Sequence, residues 1–161
     1  LDIESKKAYF VPADCAPAYV KIGGYPLELL YENLSKVPAQ TKTVVIDACF
    51  SGSSEKGNLI AKASPLAITP VFSALEGLDI LTASGADQIS SWYPEKQHSL
   101  FTYYFLKGLQ GEADKNKDKS ITFGELKDYL DENVPYTARR LDGREQSPTF
   151  TGDRNRVVAR Y

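Results

Sequence analysis

Two hydrophobic rhythms run along this chain. Leu27, Leu30, Tyr31, Leu34 and Val37 recur three and four apart, which gathers them on one face of a helix. Pro26 suits its first turn and Pro38 stops it. Thr43-Val44-Val45-Ile46 and Leu78-Asp79-Ile80-Leu81-Thr82-Ala83 are short β-branched or apolar runs, the pattern of buried strands, with both faces of the first covered as in a parallel sheet. Residues 7–12 predict a short strand closed by Pro12. Residues 99–109 predict a helix that turns Phe101, Tyr104, Phe105 and Leu109 inward, with Gly111 as its stop. Thr122 followed by Glu125 spells a capping box, and Phe123, Leu126 and Leu130 give that helix its apolar face. The tail from 146 to 161 offers one or two strands, Val157-Val158 foremost. Residues 50–72 lack a clean period and predict a short helix after Ser51-Gly52, then a loop through 56–70. Strands alternating with amphipathic helices define an α/β chain, here one domain over 1–161, whose ligands belong beyond the carboxyl ends of its strands.

Composition narrows the functions. At 161 residues and 42% hydrophobic, the chain can build one core without a disulfide framework or a structural metal. A net charge of −2 excludes a nucleic-acid polycation, and no apolar run approaches the roughly 18 residues of a membrane span. The two cysteines, Cys15 and Cys49, favour a thiol-preserving, cytoplasmic setting. All six arginines fall in residues 139–161 against three carboxylates, a pattern of a solvated face or an internal ion-pair set rather than a nucleic-acid platform. The chain has no methionine and opens at Leu1, so further sequence upstream is expected.

The most informative stretch is Val44-Val45-Ile46-Asp47-Ala48-Cys49-Phe50-Ser51-Gly52. A thiol at the carboxyl end of a strand, followed by small residues that can open a helix, meets amide dipoles that favour the nucleophilic thiolate; a buried structural cysteine is the plain alternative. Residues 43–52 resemble the catalytic-cysteine segment of the caspase/metacaspase superfamily, especially bacterial caspase-like peptidases, with their Asp-x-Cys-x-Ser-Gly pattern after a hydrophobic strand. Leu81-Thr82-Ala83-Ser84-Gly85-Ala86-Asp87-Gln88 is similar to the family's next strand and turn, residues 99–109 to the helix that follows, and Gln146-Ser147-Pro148-Thr149-Phe150 to its Gln-x-Pro segment. The resemblance implies a mostly parallel caspase-like sheet flanked by helices, with its first strands outside this chain. It also implies a Cys-His dyad peptidase in which Cys49 forms an acyl-enzyme with a protein or peptide substrate and requires no cofactor.

The family's histidine is expected about fifty residues before the cysteine, and residues 1–48 contain none. A companion chain or upstream segment would therefore carry it. His98, the sole histidine, lies on the wrong side of Cys49 and suits a helix start or the surface. The resemblance also implies that Asp47 and Asp87 line a pocket for Arg or Lys, since carboxylates bind guanidinium and ammonium groups; helix or turn capping is the alternative for each. With that preference, Lys56 or Lys62 in the loop after Cys49 becomes a self-processing position. Rival readings are a caspase-like peptidase with aspartate preference and an inactive scaffold. Finally, Asp114, Asn116, Asp118, Ser120 and Glu125 follow the twelve-residue EF-hand spacing, which makes Ca2+ a candidate ligand, although Lys119 stands where that loop has glycine. The alternative is a solvated turn entering a helix through the Thr122/Glu125 cap.

Overall fold

A computed structural model describes residues 8–48, 53–54, 57–58, 77–85 and 88–161. Tyr9–Phe10 (β1) pairs antiparallel with Tyr25–Pro26 (β2), and between them a 3-10 turn, Pro17–Tyr19, runs into the short helix Val20–Gly23 (α1). Leu27–Lys36 (α2) follows at once, with Pro26 as its N-cap rather than its first residue. Its apolar face is the expected one. Leu27 and Tyr31 are buried, Leu30 and Leu34 pack beside them, and Val37 has left the helix and is exposed.

Lys42–Ile46 (β3) and Leu78–Thr82 (β6) pair in parallel, Val45 opposite Leu81 and Ile46 opposite Thr82. Thr149–Thr151 (β10) joins the other edge of β6 antiparallel, giving the order β10-β6-β3. The α/β class is thus present, while the sheet among the described residues is mixed rather than mostly parallel. Ser53–Ser54 (β4) and Gly57–Asn58 (β5) pair antiparallel where a helix was expected after Ser51-Gly52. Serine and glycine are weak helix formers, so nothing local opposes that pairing. Trp92–Tyr93 (β7) pairs with His98–Ser99 (β8), and Ser120–Thr122 (β9) with Val157–Arg160 (β11), both antiparallel.

Leu100–Lys107 (α3) continues through a widened turn, Gly108–Glu112, to Gly111 at φ +117°, a backbone region open mainly to glycine. Phe123–Asp142 (α4) is capped by the reciprocal Thr122/Glu125 box and ends at Gly143 in the left-handed region. It runs well beyond Leu130, through Pro135, because Val134 and Ala138 extend the stripe begun by Leu126 and Leu130 and are equally buried.

The sheet separates two cores. Leu78, Ile80 and Ile46 face α2 and Ala8; Leu81 and Ala83 face α3 and α4, with Phe101, Ile121 and Leu126. Gly108 lets those helices close, since a Cβ there would lie 2.7 Å from Leu126 Cδ1. The α3/α4 layer covers β6 but not β3, so Thr43 and Val45 are exposed, not covered as expected. β3 is an edge strand among the described residues, and only its α2 face meets a core.

Two of the terminal arginines form ion pairs within the chain, Arg156 with a buried carboxylate and Arg154 at the surface. Arg156 Nη1 lies 2.5 Å from Asp79 Oδ2 and Arg154 Nη2 2.6 Å from Asp128 Oδ1. Among the described residues no helix is long and apolar enough to cross a membrane.

Candidate functional site

Parallel pairing brings the carboxyl ends of β3 and β6 to the same end of the sheet. Asp47 and Ala48 leave β3 there, Ala83, Ser84 and Gly85 leave β6, and the Ala83 N–H closes the junction on Ile46 O at 2.9 Å. Of the expected site residues, Cys49 and Asp87 lie outside the described residues, as do Lys56 and Lys62. Asp47 is described. It follows Val45 on the α3 side of the sheet, is exposed, and its Oδ2 accepts hydrogen bonds from Ser99 Oγ and, at 2.5 Å, from Thr102 Oγ1. Ser99 is also the N-cap of α3, its Oγ accepting the Thr102 N–H at 3.3 Å. The carboxylate therefore sits at the positive end of a helix. Asp47 ties the end of β3 to a helix more than fifty residues further on.

Two glutamines brace the other strand end. Gln88 Oε1 accepts the N–H of Gly85 at 3.2 Å and of Ser147 at 2.7 Å. Gln146, fully buried, donates from Nε2 to Ala83 O at 3.0 Å and accepts the Ser91 N–H at 2.8 Å. These ties span up to 63 residues and fix the backbone where β6 ends. The Gln146 segment stands out in the sequence, but its tie to Ala83 and Ser91 is long-range and leaves no local signal. The contacts of Ser99 and Thr102 with Asp47 were also missed; the only local signal was the serine that opens α3.

His98 is exposed on β8, immediately before α3, as expected of a surface histidine. Cys15 carries a free thiol directed at Ala16 O.

The 114–125 loop is bound up in its own backbone. Asp114 Oδ1 accepts the N–H groups of Lys117 at 2.7 Å and Asp118 at 3.3 Å, and Oδ2 accepts the Lys119 N–H at 2.9 Å and the Tyr161 O–H at 3.0 Å. Burial pushes the Asp114 carboxyl up, but these donors outweigh it and hold the group below its ordinary value. The same contact raises Tyr161. Asn116 and Asp118 make similar turns onto the N–H groups of Asp118 and Ser120. Ser120 lies in β9, opposite Arg160. Glu125 turns away to Thr122, accepting its N–H and hydroxyl at 3.0 and 2.9 Å. No three Asp, Glu, His or Cys side chains converge as a metal-holding group among the described residues, and Asp114 and Glu125 already accept hydrogen bonds from the protein.

The backbone does make the turn that glycine would make, with Lys119 at φ +65° and Lys117 at φ +62°. Left-handed backbone strains a side-chain-bearing residue, so Lys119→Gly is expected to stabilise the protein by up to about 1 kcal/mol, read from urea unfolding in chelator. Calcium would have to draw Glu125 off Thr122. Melting with calcium and with chelator, on the parent and on Glu125→Gln, checks this, and a shift of at most a few degrees is expected at millimolar calcium.

No protein-family model, curated protein or solved structure matches the chain.

Proposed function

We propose that this chain carries the nucleophile-bearing part of a caspase-like cysteine endopeptidase that cleaves after Arg or Lys. The observation that carries the reading is the parallel β3–β6 pair, with the exposed carboxylate of Asp47 at its carboxyl edge, two residues before Cys49. A carboxylate there suits a positive substrate side chain, and a thiol beside it suits attack on the carbonyl that follows. The resemblance of residues 43–52, 81–88, 99–109 and 146–150 to caspase-like peptidases supplies the rest.

In this mechanism the Cys49 thiolate adds to the scissile carbonyl, and the tetrahedral intermediate collapses to a thioester as the amine leaves with a proton from the histidine. Water then attacks the thioester, returning the thiol and releasing the new carboxylate. The histidine is supplied by sequence upstream of these residues or by a companion chain. The carboxylate of Asp47 takes no proton in this scheme and orients the substrate alone.

The test is kcat/KM of the full-length protein on matched peptides with Arg, Lys or Asp before the scissile bond. Arg and Lys peptides are expected to be cut and Asp peptides left intact. Asp47→Ala is expected to cost about 2 kcal/mol on the basic peptides, roughly thirtyfold. Equal turnover of Asp and Arg peptides would overturn the specificity, and absence of any hydrolysis would favour the scaffold reading.

A further inference from the structure

We propose that Ser99 and Thr102 decide how Asp47 meets a positive side chain: they occupy Oδ2 and, among the described residues, leave Oδ1 as the acceptor, so the carboxylate takes Arg and Lys through one oxygen. The inference rests on the reading of Asp47 as a substrate-binding group and adds its mode of recognition.

An ionised carboxylate offers about two lone-pair positions on each oxygen. Both hydroxyls donate to Oδ2, which fills that oxygen. The Ser99 hydroxyl has one hydrogen, which it gives to Asp47, while its oxygen accepts the Thr102 N–H. The Thr102 hydroxyl is half-buried and stands 2.5 Å from the same oxygen. A guanidinium binds a carboxylate best fork to fork, with one N–H on each oxygen. With Oδ2 filled, that geometry is closed, and Arg loses its advantage over the single-point ammonium of Lys. Ser99 and Thr102 are positioning residues here, acting on the substrate through Asp47.

Thr102→Val removes one donor, keeps the shape of the side chain and leaves the Ser99 cap in place. One position on Oδ2 then opens to a second guanidinium N–H. The experiment measures kcat/KM of the full-length protein on matched peptides with Arg, Lys or norleucine before the scissile bond. The Arg-to-Lys ratio is expected to rise about tenfold in Thr102→Val, the effect of one added charge-assisted hydrogen bond. Thr102→Ser should return the ratio to that of the parent. Thr102→Ala gives the same readout should valine disturb the helix, with folding followed by urea unfolding. A ratio within about twofold of the parent in a folded variant, while Arg and Lys still exceed norleucine, overturns this inference and leaves the basic preference standing. A parent that treats norleucine like Arg and Lys overturns the preference itself, and the inference with it.

Discussion

Alanine at Cys49 is expected to lower kcat/KM on Arg peptides by at least about 10⁴-fold, with the unfolding midpoint unchanged and Cys15→Ala without effect. The size of the loss follows from the chemistry: without the thiolate no acyl-enzyme forms, and what remains is substrate binding beside Asp47. The measurement belongs in the full-length protein, because the one histidine within these 161 residues, His98, is exposed at the start of α3. Hydrolysis by Cys49→Ala at the parent rate would remove Cys49 from the mechanism. Full activity from the 161-residue chain alone would remove the companion histidine instead.

The largest expected effect on stability is at Asp79. This carboxylate is 1% exposed in the middle of the sheet, paired with Arg156 through Oδ2 and accepting the Asp153 N–H through Oδ1 at 3.0 Å. Gly152 packs so closely that a Cβ there would strike Asp79 Oδ1. Asp79→Ala strands the guanidinium, which also donates to Gly77 O at 3.3 Å, and leaves an amide without its acceptor. A loss of about 3 kcal/mol in urea unfolding is expected, the lower part of the range for a broken buried pair, since Arg156 keeps some contact with water. Arg156→Ala combined with Asp79→Ala should cost less than the two losses added, because the second change removes the stranded charge. Strict additivity would show that the two groups do not depend on each other.

What could be read from the sequence was whatever is decided within one or two turns of chain. β3 and β6 announced themselves as short runs rich in β-branched and apolar residues, α2 as a stripe, and the entry to α4 as Thr122 with Glu125. The exposure of Val45 could not be read, since it depends on how far α3 and α4 reach across the sheet. Nor could the length of α4: Pro135 argues for a break, and burial of Val134 and Ala138 overrides it. Asp47 was legible as a residue of interest, but its partners Ser99 and Thr102 lie 52 and 55 residues away. Lys119 was read as an obstacle to the loop, and the backbone adopts the left-handed turn regardless.

The antiparallel arrival of β10 on β6 sets the order in which this chain can assemble as it is made. β3 precedes β6 and can wait for it, but the far edge of β6 stays unfilled until Thr149 comes to meet Thr82, 67 residues later. Loop closure over that separation is slow compared with the nearby contacts of α3 with α4. The helix pair is therefore expected to dock on Leu81 and Ala83 before β10 pairs with β6. Until then the backbone of β6, apolar at Ile80 and Leu81, is a template for any extended segment within reach. The chain is most exposed to misassembly in that interval, which lasts until Thr149–Thr151 reaches β6.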